Sequence, residues 1–259
     1  MEKEIKYVYS EEDLKQYIDL GALSLGLNLT EDEINKFIIY LKMINLFQKK
    51  VNITSLKNPL DIINKHFLDS LSAVNIVSNL FKNYSQEKRM KIIDVGSGAG
   101  FPGIPIKIVI SDARMVLLEA RKNKALFLNA IIDQLELTDI KVEQDRAEKI
   151  GKVVEFREEY HIVLSRAVAT LEVLSEYCLP LCQVNGVMLA FKGSSYTEEL
   201  SASTKVIERL GGVLESINTV RIPYSNLFRY LLVIRKRKST PEDYPRKNGV
   251  PLKRPLYFE

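Results

Sequence analysis

The chain has 259 residues, of which 46% are hydrophobic and 27% charged, with a formal net charge of +4. That balance excludes a disordered or fibrous chain, the lack of any apolar run of about 18 residues excludes a spanning helix, and the acidic, polar start MEKEIKYVYSEEDLK excludes a secretory or transit segment. The expectation is a cytoplasmic monomer with no membrane association, whose mild positive charge is compatible with a nucleic-acid partner.

From Ser10 to Leu80 the apolar spacing predicts helices, carried first by Leu14, Ile18 and Leu25, then by Ile34, Phe37, Ile38, Leu41, Ile44 and Leu46. Thr30 with Glu33 three residues on predicts a capping box at the start of the second helix. Pro59 opens a further one through Leu60, Ile63, Phe67, Leu68 and Leu71. These helices form an expected N-terminal subdomain over residues 1–88, broken by the polar run from Asn83 to Lys88.

Past Lys91 the pattern changes to short β-branched runs alternating with helical stretches, the signature of βαβ units and a parallel sheet. Strands are predicted at 92–95, 115–119, 140–143, 162–165, 187–191, 213–222 and 230–236, with helices at 105–110, 121–135, 171–180 and 196–210. A short loop carrying Pro-Tyr-Ser-Asn joins the last two strands, too little for a crossover helix, so they are expected to pair antiparallel. The result is a doubly wound α/β domain over 89–238, with seven mostly parallel strands and an antiparallel ending of the kind common in methyltransferases. A basic tail, 239–259, is expected to pack on that domain, either as a solvated strap or as an RNA-contacting segment. Cys178 and Cys182, read as one turn apart on a helix, look like buried thiols, and with His66 and His161 at no ligand spacing from them no metal site is expected.

The strongest local signal is Asp94-Val95-Gly96-Ser97-Gly98-Ala99-Gly100-Phe101-Pro102-Gly103, a strand running into a glycine-rich turn before a helix. Such turns bring backbone N–H groups close to a ligand. Gly98, Gly100 and Gly103 satisfy a dinucleotide pattern, so an oxidoreductase using a nicotinamide dinucleotide is one reading. Against it, Asp94 at the strand end repels phosphates and suits a ligand carrying ammonium and sulfonium charges, and counting from Gly96 places Phe101 where that fingerprint expects its third glycine. Glu119, ending the second strand, is placed to accept from ribose hydroxyls in either case. Glu148 is placed for an adenine amino group with Ala147 on the ring, and Arg166 follows the fourth strand.

Taken with Asn52-Ile53-Thr54, His66-Phe67-Leu68-Asp69-Ser70-Leu71, Arg146-Ala147-Glu148, Ser165-Arg166-Ala167-Val168-Ala169 and Phe191-Lys192-Gly193, the glycine loop resembles the glucose-inhibited division protein B family, the ribosomal small-subunit methyltransferases G. The resemblance runs from the N-terminal helices to Tyr244-Pro245-Arg246-Lys247. It implies a Rossmann-like class I fold and S-adenosylmethionine as cofactor, held at Gly96, Phe101, Glu119, Ala120, Arg121, Ala147, Glu148 and Arg166, beside Asp94, Gly98 and Gly100 from the loop itself. It also implies methyl transfer to N7 of a guanine in a conserved loop of 16S ribosomal RNA, as naked RNA or in a small-subunit particle. Guanine N7 offers an in-plane lone pair and carries no proton, so no general base is required. Arg166 is then a positioning residue, and Asn52 and His66 are candidates for either substrate contact or a structural hydrogen bond. The candidate RNA contacts are Arg121, Lys122, Lys124, Lys192, Arg246 and Lys247, with Lys253 and Arg254 further along the tail. A non-catalytic RNA-binding module on the same fold is the remaining alternative.

Overall fold

β-Branched residues favour extended backbone, and the five runs rich in them that follow Lys91 form the parallel part of the sheet. In the computed structural model, which describes residues 9–48, 53–83 and 89–258, these are β1 (Lys91–Val95), β2 (Arg114–Leu118), β3 (Ile140–Glu143), β4 (Tyr160–Arg166) and β5 (Cys182–Lys192). β6 (Gly212–Arg221) and β7 (Phe228–Lys236) complete a seven-stranded sheet in the order β3-β2-β1-β4-β5-β7-β6. β7 runs antiparallel to β6, as the short connection predicts, and also to β5, beside which it lies. The strand order reverses between β1 and β4, which is where an open α/β sheet leaves a crevice at its carboxyl edge.

Successive strand residues face opposite sides, so each strand feeds two cores. Ile92, Met115, Leu117, Ile162 and Leu164 pack with the helices α1 (Glu11–Ser24), α2 (Glu31–Gln48), α5 (Val74–Asn83), α6 (Gly103–Val109) and α7 (Lys122–Gln134). Ile93, Val95, Val116, Leu118 and Val163 pack on the other face with α9 (Leu171–Cys178) and α10 (Tyr196–Arg209). The N-terminal helices thus share one apolar core with a face of the sheet. Both first helices begin on capping boxes, Ser10 with Asp13 and Thr30 with Glu33.

Three details depart from the sequence reading. β5 begins at Cys182, because the polar residues Gln183 to Asn185, which interrupt the apolar run, belong to an irregular stretch between the Tyr160↔Cys182 and Ile162↔Val187 pairs. Helix α9 therefore stops at Cys178, and the two thiols lie at a helix end and a strand start; both are buried and free. Two four-residue helices, α8 (Ala147–Ile150) and α11 (Val250–Lys253), are too short to show periodicity. The helix predicted from Pro59 is broken into α3 (Pro59–Ile62), a π-helical turn Ile63–Leu68 and α4 (Asp69–Leu71), with Asp69 N–H donating to the Asn64 carbonyl five residues back.

That π turn presents a carboxylate to the sheet. Asp69 is 1% exposed; its Oδ2 accepts from Arg166 Nη1 at 2.6 Å, and Arg229 donates to Oδ1 at 2.6 Å and Oδ2 at 2.9 Å. Breaking a buried ion pair from one side costs about 3–5 kcal/mol. Asp69→Asn, similar in shape but uncharged, is expected to lower the unfolding free energy by about that much in urea titrations. An unchanged midpoint would show that the pair contributes nothing to holding the helical layer on the sheet.

Candidate functional site

The turn after β1 is built by its own backbone. Gly96 and Ser97 both donate to the Leu118 carbonyl, at 2.9 and 3.1 Å, so the loop is pinned to the end of β2. Gly96 has φ +75°, and a Cβ there would lie 2.6 Å from Val168 Cγ2, which makes glycine a requirement of both conformation and space. Glu119 accepts from Gly98 N–H at 2.9 Å and from Arg121 N–H at 2.8 Å. Gly103 N–H, at the start of α6, donates to Asp94 Oδ2 at 3.0 Å. Two carboxylates therefore hold the loop from beneath and from the side.

Beside this loop, at the carboxyl ends of β1 to β4, lies a cleft of about 270 Å³. Gly96, Glu119, Ala120, Arg121, Ala147 and Glu148, all singled out from the sequence, line it together. Val168, Tyr177 and Leu252 line it too, and none of the three was picked out individually. Asp94, Gly98, Gly100, Phe101 and Arg166 are not part of the lining. Asp94 does not line the cleft from the strand end; it is completely buried and held under the loop by the Gly103 amide.

Phe101 is instead the centre of an aromatic group. His66 stacks on it with ring centroids 4.5 Å apart, Tyr40 at 5.3 Å, and the Arg166 guanidinium lies 5.3 Å from its centroid. The Tyr40 hydroxyl donates to the Ala99 carbonyl, so a residue of α2 fastens the glycine loop directly. His66 Nε2 meets Thr54 Oγ1 at 2.8 Å, and its Nδ1 lies 3.2 Å from Arg166 Nη2. The Lys65 carbonyl lies 3.1 Å from the same Nδ1, so the ring is held between Thr54 on one side and Lys65 and Arg166 on the other. His66 and Arg166 thus make the structural contacts joining the helical layer to the sheet, while Asn52 lies outside the described residues.

The basic candidates separate by environment. Arg121 and Lys122 are exposed where α7 begins, and the Lys124 ammonium lies 3.7 Å from where a Cβ on Gly98 would sit. Lys247, Lys253 and Arg254 are exposed on the tail. Lys192 and Arg246 depart from the sequence reading as RNA contacts. Lys192 is 7% exposed and donates to Glu199 at 2.6 Å and to the Ala169 carbonyl at 2.9 Å. Arg246 is paired through Nε and Nη2 with the buried Glu176. Among the described residues no group of three His, Cys, Asp or Glu side chains is placed to hold a metal ion, and no helix is long and apolar enough to cross a membrane.

The sequence profile of rRNA small subunit methyltransferase G matches residues 33–228. The chain belongs to that family. A ribosomal RNA small subunit methyltransferase G of Acetivibrio thermocellus is 42% identical over 255 residues, covering 98% of this chain and 99% of the relative. Those of Clostridium tetani, 42% identical over 90% of this chain and 94% of the relative, and Oceanobacillus iheyensis, 40% identical over 89% and 94%, are similarly close. Among solved structures, a protein of Galdieria sulphuraria provisionally named a sarcosine dimethylglycine methyltransferase superposes with a TM-score of 0.50 at 11% identity, covering 77% of this chain and 99% of that one, a likeness of fold. The fold is thus the Rossmann-like one of S-adenosylmethionine-dependent methyltransferases, as expected for a methyltransferase G.

Two buried groups of this methyltransferase titrate in opposite senses. Burial pushes Asp94 up from 3.8 to about 7, outweighing the Gly103 amide and Ser97, and its Oδ1 has no hydrogen-bond partner. Burial, reinforced by the Arg166 charge, pushes His66 down from 6.5 to about 4. Folding stability from protonated Asp94 is full below its unfolded value near 3.8 and is lost as pH rises through 7. Stability from neutral His66 is full above its unfolded value of 6.5 and is lost as pH falls toward 4. Between about pH 4 and 6.5 the two slopes oppose each other. Asp94→Asn removes one of them, so its urea midpoint is expected to climb across that window, by roughly 1–3 kcal/mol in stability, where the unaltered protein stays nearly flat. Identical pH profiles for the two proteins would show that Asp94 is ionised throughout.

Proposed function

We propose that this protein transfers the methyl group of S-adenosylmethionine to N7 of an unpaired guanine in 16S ribosomal RNA. The observation that carries the reading is the cleft at the switch point, where Gly96 of the glycine loop, Glu119 at the end of β2 and Ala147-Glu148 after β3 line one opening. Those residues fit the group. Glu119 keeps lone pairs for ribose hydroxyls while its backbone donors hold it still, and Ala147 offers a small apolar face. S-adenosylmethionine bound there supplies an electrophilic methyl on a sulfonium.

What supports N7 is the role the carboxylates play. Glu119 and Glu148 accept backbone N–H bonds, at 2.8–2.9 Å for Glu119 and 2.8 Å for Glu148, which suits recognition rather than proton removal. His66 is held neutral, with its ring committed to Thr54, Arg166 and Phe101. Displacement by N7 asks for no proton acceptor, only for alignment of the lone pair with the methyl group and the sulfur behind it. Arg121, Lys122 and Lys124 at the start of α7 would take phosphates of a strand whose target base has left its stack.

The test is transfer of radiolabel from S-adenosylmethionine to small-subunit RNA and particles from cells lacking this activity, followed by nucleoside analysis. Label is expected in 7-methylguanosine and is expected to vanish with Gly96→Asp; label in any other nucleoside would overturn the N7 assignment. Lys122→Ala is expected to leave cofactor affinity unchanged and to reduce the slope of log affinity for RNA against log salt by about one. A slope equal to that of the unaltered protein would remove Lys122 from the RNA surface.

A further inference from the structure

The segment after β7 lies beyond the residues that the family profile matches, yet it is built into the domain. Arg157 donates to the carbonyls of Gly151, Thr240 and Tyr244 at 2.7, 2.7 and 2.8 Å, and Glu158 accepts from Thr240 N–H at 2.7 Å. Arg246 grips Glu176, which is completely buried, and Pro245 is buried against Gly151. Beyond these anchors Gly249, in the left-handed region at φ +77°, turns its N–H to Glu148 Oε1 at 2.8 Å. Pro251 is buried, but the next residue, Leu252, is 64% exposed although it lines the cleft. Leu252 thus stands at the rim of the cleft on a backbone anchored upstream by these contacts and downstream by Leu256 and Phe258, which pack against the second core, and it is placed to be covered by a ligand there.

We propose that the C-terminal strap forms one wall of the cofactor site, with Leu252 packing on the adenine ring opposite Ala147 and Gly249 holding Glu148 in position for the ring's amino edge. This rests on the cofactor reading above. Leu252 is then a contact residue for the adenosine half, and Gly249 a positioning residue acting through Glu148. The cleft supplies the apolar faces such a ring needs, with Tyr177 and Ala147 beside Leu252. Burial and the Glu148 carboxylate push Tyr177 up to about 12, so its phenol stays neutral and available as a donor beside that carboxylate.

The experiment is calorimetric titration of the full chain and of Leu252→Ala with S-adenosylhomocysteine and with 5′-methylthioadenosine, alongside thermal melting of each unliganded protein. Loss of a leucine face from a buried contact weakens binding by roughly tenfold, and the same factor is expected for both ligands with the melting temperature unchanged. Arg246→Ala, which frees the strap upstream, is expected to weaken both ligands as well, with partial recovery in Arg246→Lys. Equal affinity in Leu252→Ala and the unaltered protein overturns the proposal. Weakening confined to S-adenosylhomocysteine overturns it too, by moving Leu252 to the amino-acid end. If the unaltered protein binds neither ligand, the cofactor reading itself fails, an outcome distinct from the other two.

Discussion

A single buried carboxylate, Asp69, sets where the rest of the site can be. It sits on the helical layer, and its two partners belong to the sheet, Arg166 at the end of β4 and Arg229 near the start of β7. β4 and β7 are not neighbours, since β5 lies between them, so the clamp spans the carboxyl edge of the sheet beside the switch point. Charges this poorly hydrated tolerate little displacement, because a shift that separates them leaves an uncompensated ion inside the protein. The register of the helical layer on the sheet follows. With Asp69 fixed, His66 one turn earlier lies on Phe101, and Tyr40 reaches the Ala99 carbonyl of the glycine loop. The loop conformation is therefore maintained from two sides, by carboxylates of the sheet and by aromatic groups of the helices.

The acidic residues at the cleft share one mode of use. Glu119, Glu148 and Asp94 all accept backbone amides, from Gly98 and Arg121, from Gly249, and from Gly103. A carboxylate bound by amides is orientated without a mobile partner, and it keeps acceptor capacity for a ligand hydroxyl or amine. Asp94 is the exception in one respect, since its Oδ1 has no partner and burial holds its proton to about pH 7.

Much of the fold was legible because the sheet repeats a local rule. The β-branched runs, the six-residue link before β7 and the Thr30 capping box each encode their structure within a few neighbouring residues. The cleft was legible at Gly96, Glu119, Ala120, Arg121, Ala147 and Glu148 for the same reason, since each follows directly from a strand end. The parts that were not legible depend on partners far apart in the chain. Nothing near Leu252 signals that Gly249 will bond Glu148, 101 residues earlier. Asp69 did leave a trace, as a lone charge within the apolar run His66-Phe67-Leu68-Asp69-Ser70-Leu71, a pattern that a solvated helix face does not need. Arg166, expected from the resemblance at the cofactor, makes contacts to Asp69, Lys65 and His66, all from the helical layer, and an ion-pair partner so distant in the chain cannot be read from its neighbours.

The basic residues show why a net charge is a poor guide to an RNA surface. Lys107 and Lys236 are buried, their ammonium groups donating to the carbonyls of Ser111 and Ala113 and of Leu179, and burial drives the pKa of each down. Lys192 and Arg246 are neutralised by Glu199 and Glu176. Cations already committed in this way have no condensed phosphate counterions to displace, and so contribute little to the electrostatic part of RNA affinity. Arg121 and Lys122 at the start of α7 and Lys247, Lys253 and Arg254 on the tail are exposed cations close in sequence to residues that line the cleft. Arg121 lines the cleft and Leu252 faces it from the tail, so the two basic segments flank the same opening.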